Sequence, residues 1–86
     1  MTTGHSEYTA TIREKSTFRR MIDHVPPNGK RHVYREELVV PFPEIRRQVE
    51  ISYEQMQGGR VITIINNSTW PVFVNIYRDE SLISDW

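Results

Sequence analysis

His24 and His32 stand on either side of Pro26-Pro27-Asn28-Gly29, a run that turns the chain. A tight turn there brings the two imidazoles together, and Asp23 or Glu36 would complete a set of metal-like ligands. The spacing matches no familiar ligand pattern, and histidines beside a loop are more often simply solvated. His24 with Asp23 and any of Ser16, Ser52 or Ser68 can be written as a hydrolytic triad. No nucleophile elbow surrounds any of these serines, and such triples occur in almost every sequence. Glu36-Glu37 and Glu50/Glu54 are the candidate carboxylate pairs, but nothing in the sequence marks a cleft that would push their pKa values apart. Gly58-Gly59 lacks the lysine, the hydroxyl and the following helix of a phosphate loop. The expectation is a non-catalytic chain without a cofactor or metal.

The cations suggest a second chemistry. Residues 1–47 hold nine Lys/Arg and six Asp/Glu, whereas residues 48–86 hold two and five. Arg19, Arg20, Arg46 and Arg47 are the positions that would grip phosphates if this basic half bound nucleic acid, with Tyr8, Phe18 and Tyr34 as stacking platforms. Glu14, Asp23, Glu36, Glu37 and Glu44 lie among those cations, and the formal net charge is zero. No global field draws the chain to a polyanion or a charged membrane. Nucleic-acid binding is therefore the alternative, behind binding to protein.

Eighty-six residues make one small domain, and 37% apolar content is polar for a globular chain yet far from a disordered composition. The absence of cysteine excludes disulfides, thiolate catalysis and cysteine-based zinc sites. No apolar run approaches the ~20 residues of a membrane-spanning helix. The first residues lack the apolar core of a secretory signal. A soluble, cytoplasmic protein is expected. Asn66 and Asn67 each begin an N-x-S/T sequon, read as turn chemistry in that setting.

These side chains depend on the elements that carry them, and the clearest is Arg60–Arg78. Val61–Ile65 and Trp70–Tyr77 are rich in β-branched and aromatic residues, and Asn66-Asn67-Ser68-Thr69 supplies a polar loop. A β-hairpin is expected. Both of its arms are apolar on both faces, unlike a sheet with one wet side, so another layer or another chain must cover the second face. Tyr8–Arg13 alternates with Tyr8, Ala10 and Ile12 on one side and suggests a strand. Phe18, Met21, Ile22 and Val25 fall at i, i+3, i+4 and i+7, which predicts an amphipathic helix from Ser16 to Val25 that Pro26-Pro27 ends. His32–Val40 reads as a strand, placed at an edge or a crossing point by Pro41 and Pro43. Glu44–Gln57 fits a helix or a strand. Ile51 favours the strand, and Gly58-Gly59 then closes a hairpin onto Val61.

The predicted fold is α+β, with one N-terminal helix packed on a four- to five-stranded antiparallel sheet. An all-β sandwich or small barrel is the alternative. Residues 1–6 are expected to be disordered, residues 7–78 to form the domain, and residues 79–86 to form an acidic amphipathic tail. The function expected is a protein-interaction module, an accessory or regulatory subunit that acts through an apolar sheet face. Trp70, Phe73, Tyr77, Leu82 and Trp86 would hold the partner, since aromatic residues are enriched at interface centres. A second copy of the chain is the simplest such partner.

Overall fold

The computed structural model describes residues 8–24 and 34–78. Six antiparallel strands form two three-stranded sheets: β1 (Tyr8–Ile12), β2 (Ser16–Ile22), β3 (Tyr34–Val39), β4 (Val49–Met56), β5 (Gly59–Asn66) and β6 (Val72–Arg78). One sheet has the order β1-β6-β3 and the other β2-β5-β4. A single core joins them. Ile12, Val72, Val74 and Ile76 come from the first sheet, Ile22, Val49, Ile62 and Ile64 from the second. Burying each of these side chains contributes roughly 1.5–3 kcal/mol. Ile45, on a two-turn 3₁₀ helix at Pro43–Gln48, plugs the same core where the chain passes from β3 to β4.

The helix predicted from Ser16 to Val25 is not there: Ser16–Ile22 is strand β2, paired along its length with β5. The apolar residues happen to fall at helical spacing because two neighbours exchange roles. Arg20 takes an inward position, with its guanidinium 3.9 Å from the centroid of the Tyr8 ring. Met21 takes the outward one and is 40% exposed, while Ile22 is completely buried. The swap hides the period of two. Of the predicted stripe, Val25 lies outside the described residues.

A second expectation is also overturned. Val61–Ile65 and the Trp70–Tyr77 segment do not form a hairpin, because β5 and β6 are the central strands of different sheets. Asn66-Asn67-Ser68-Thr69 carries the chain across the sandwich. Their double-sided apolar character follows from this position. Each is flanked on both sides by another strand, whose side chains shield part of its outer face. Val61, on the outer face, is buried between its neighbours Met21 and Glu54. The hairpin onto Val61 does form, as β4 and β5 joined through Gln57-Gly58. The prolines flanking Phe42 follow β3, which is an edge strand. Among the described residues no helix is long and apolar enough to cross a membrane.

Candidate functional site

The outer face of the β1-β6-β3 sheet is the most unusual surface. Alternation along the strands puts Thr9, Thr11, Arg35, Glu37, Val39, Phe73, Asn75 and Tyr77 on it. Val39 and Phe73 are cross-strand neighbours, and each is 41% exposed. β3 and β6 are antiparallel, so the residues after Val39 and before Val72 leave the sheet at the same end. There Phe42 and Trp70 meet edge to face with centroids 5.1 Å apart, each nearly half exposed. That geometry suits aromatic quadrupoles and fixes two large rings beside the sheet.

A polar group frames the apolar end. The Tyr77 hydroxyl donates to Glu37 Oε1 at 3.0 Å, and the Arg35 guanidinium lies 4.5 Å from the centroid of the Tyr77 ring. Glu37 is also approached by the Asn75 amide at 3.5 Å, and Thr9 Oγ1 donates to Asn75 Oδ1 at 2.9 Å. Glu37 accepts a hydrogen bond from the Tyr77 hydroxyl, which holds that phenol above its ordinary range. The face thus carries a cation and an anion two positions apart, each held in place by one tyrosine.

What orients this end is the crossing between the sheets. Asn66 is completely buried at the inner face of β5. Its two amide N–H groups are shared among the carbonyls of Ile12, Arg13 and Trp70 at 3.1, 3.1 and 2.7 Å. Its carbonyl accepts from the Ser68 N–H and Oγ at 3.0 and 2.7 Å. Ser68 Oγ in turn faces both the carbonyl and the N–H of Trp70, at 2.9 and 3.1 Å. One buried amide therefore fixes β1, the crossing and the backbone that presents the Trp70 ring. Burial also places the Asn66 sequon nitrogen out of reach of any modifying enzyme.

The other predicted residues are dispersed. Leu82 and Trp86, and the tail that holds them, lie outside the described residues, as do residues 1–6 and His32. Arg19 sits on the outer face of the second sheet and pairs with Glu54 at 3.2 Å. Arg20 faces inward on Tyr8. Arg46 donates to the Val49 carbonyl at 3.1 Å, and Arg47 is exposed on the 3₁₀ helix. Successive residues of a strand point to opposite faces, so Arg19 and Arg20 cannot grip one phosphate track together. Asp23 is buried and bonded to Arg60 Nη2 at 2.8 Å and to the Tyr34 N–H at 3.1 Å. Glu36 and Glu37 occupy opposite faces of β3, and Glu36 accepts from the Tyr53 hydroxyl across the sandwich. Glu50 and Glu54 share a strand face about 13 Å apart, too far to share a proton. Among the described residues no group of three or more His, Asp or Glu side chains is placed to hold a metal ion.

Val39 and Phe42, with Arg35 and Glu37, are members of the surface that sequence reasoning missed. A signal was available: Phe42 between two prolines cannot be buried as a ladder residue, and Val39 must be outward if Leu38 is inward. Comparison with known proteins adds nothing to this geometry, since no family model matches the chain and no curated protein or solved structure matches it.

Proposed function

We propose that this chain is a non-catalytic protein-interaction module, and that its partner seats on the outer face of the β1-β6-β3 sheet. The observation that carries the reading is the apolar end of that face, Val39 and Phe73 side by side with the Phe42–Trp70 pair beyond them. Four large apolar side chains, each more than two-fifths exposed, are gathered at one end instead of scattered singly. Rigid aromatic rings in a setting of polar groups match the anatomy of an interface core with its rim.

The occupant we assign is a second copy of the chain. A two-fold interface must be self-complementary, because the same patch faces itself. Arg35 and Glu37, one of each sign on this face, meet that requirement: two-fold apposition sets each arginine against the partner's carboxylate. Sedimentation equilibrium across the micromolar range is the test. A monomer–dimer equilibrium is expected, shifted strongly to monomer by Phe73→Glu. A parent that stays monomeric, with Phe73→Glu as stable and soluble as the parent, would mean the face needs no such cover.

A further inference from the structure

A cavity of about 400 Å³ lies at the other end of the sandwich, where β1 begins and β2 ends. Its described lining is Tyr8, Arg20, Met21, His24, Tyr34 and Ile76. This volume falls within the usual range of small-molecule sites, about 300–1,000 Å³. It is distinct from the surface assigned above. Ile76 points inward near the last residues of β6, whereas Phe73 points outward near its start.

The composition of the lining is selective. Two phenol rings, a thioether and an isoleucine supply apolar and aromatic wall. Arg20 is the one permanently charged side chain among the six. Among the described residues no carboxylate lines the cavity, and two acids of the neighbouring strands are engaged elsewhere. Asp23 holds Arg60 and the Tyr34 N–H, and Glu36 holds the Tyr53 hydroxyl. Among the described residues Arg20 has a ring beneath it and no anion beside it. The Tyr8 ring that supports the guanidinium is itself packed on Phe18, with centroids 6.2 Å apart. Stacking of this kind occupies the face of a guanidinium and leaves its N–H edge available, which is the edge that recognises planar or tetrahedral oxyanions bidentately.

We infer that this cavity binds a small aromatic anion: the Arg20 N–H edge takes the carboxylate or phosphate, and the ring lies among Tyr8, Tyr34, Met21 and Ile76. Arg20 gives the charge selectivity and the aromatic wall gives the ring selectivity. His24, also in the lining, can offer an imidazole N–H as a second donor.

The full chain, isotope-labelled for NMR, is titrated with benzoate, phenyl phosphate, benzyl alcohol and benzylammonium. Saturable shifts of the Arg20 Nε–H and of the Tyr8 and Tyr34 ring signals are expected with at least one anion. The neutral alcohol should bind about tenfold more weakly or worse, and the cation should not bind. Comparison of the two anions tells whether a carboxylate or a phosphate is the preferred head group. Arg20→Gln should weaken the anion by about tenfold or more while the amide spectrum stays that of the parent. Equal binding of anion and alcohol, undiminished binding to folded Arg20→Gln, or no saturable shift with millimolar anion would overturn the inference. Should Arg20→Gln fail to fold, the parent's own preference between anion and alcohol still decides the matter.

Discussion

Two residues show how a single side chain sets local structure in this protein. Asn66 spends all of its amide hydrogen-bonding capacity on the crossing between the sheets. Asn66→Ala removes the donor from the buried carbonyl of Ile12 and the partly buried one of Arg13, while the Trp70 carbonyl keeps Ser68 Oγ, and an unsatisfied buried group costs about 1–3 kcal/mol. Urea denaturation should show a loss of at least that size for Asn66→Ala. Asn67→Ala, at the neighbouring exposed position, should cost much less. Tyr53 gives a pH dependence. Burial, and then the hydrogen bond to Glu36, push its hydroxyl from 10.0 up to about 12 despite the opposing fields of Arg60 and Arg46. The folded state thus keeps this proton where the unfolded chain has lost it. The stabilisation is complete below pH 10 and is lost as the pH rises toward about 12. Stability measured by chemical denaturation should fall across that window, and Tyr53→Phe should remove Tyr53's share of the fall.

At the scale of elements, β2 and the β4–β5 hairpin are locked together by one close approach. Gly59 has φ +155°, and a Cβ there would lie 2.8 Å from the Met21 sulfur and 2.9 Å from the carbonyl oxygens of Ile22 and Asp23. Backbone oxygens at that distance cannot yield without moving the strand. Gly59→Ala should therefore destabilise by several times the ~1 kcal/mol of an ordinary glycine effect, whereas Gly58→Ala meets no atom within 4 Å and carries only the cost of its own positive φ. Thermal unfolding of the two variants separates these outcomes. The same edge distinguishes the observed strand from the predicted helix. Ile22→Ala should cost about 2–5 kcal/mol as a core truncation, and Met21→Ala, on the exposed side, clearly less. A helix burying both residues would have lost stability at each.

At the scale of the whole molecule, the self-association proposed for the β1-β6-β3 face makes a prediction of its own. In the two-fold arrangement proposed above, Arg35 of one copy meets Glu37 of the other. Glu37→Arg sets like charges against each other and should weaken self-association. The exchange of both, Arg35→Glu with Glu37→Arg, should restore much of it, as measured by sedimentation. Weakening without recovery would fit loss of the Tyr77 and Asn75 contacts within one chain and argue against the pairing. Arg19 and Arg20 face opposite ways on β2 and Arg46 is bonded to its own backbone, so these three side chains do not form one cationic track.

Several features were legible from residue order alone. β1 is written in the alternation of Tyr8, Ala10 and Ile12. β4 is written in Val49, Ile51 and Tyr53, and the β4–β5 turn in Gly58-Gly59. These are local patterns, with partners near in sequence or set by a period of two. Other features depend on contacts distant in sequence. Whether Ser16–Ile22 is helix or strand turned on Arg20 finding Tyr8 and Met21 finding Gly59, and neither contact is visible in the order of residues. Whether Asn66–Thr69 closes a hairpin or crosses a sandwich turned on an amide reaching carbonyls 53 and 54 positions away. A turn-forming sequence specifies that the chain changes direction. The tertiary contacts that satisfy its buried polar atoms decide where it goes.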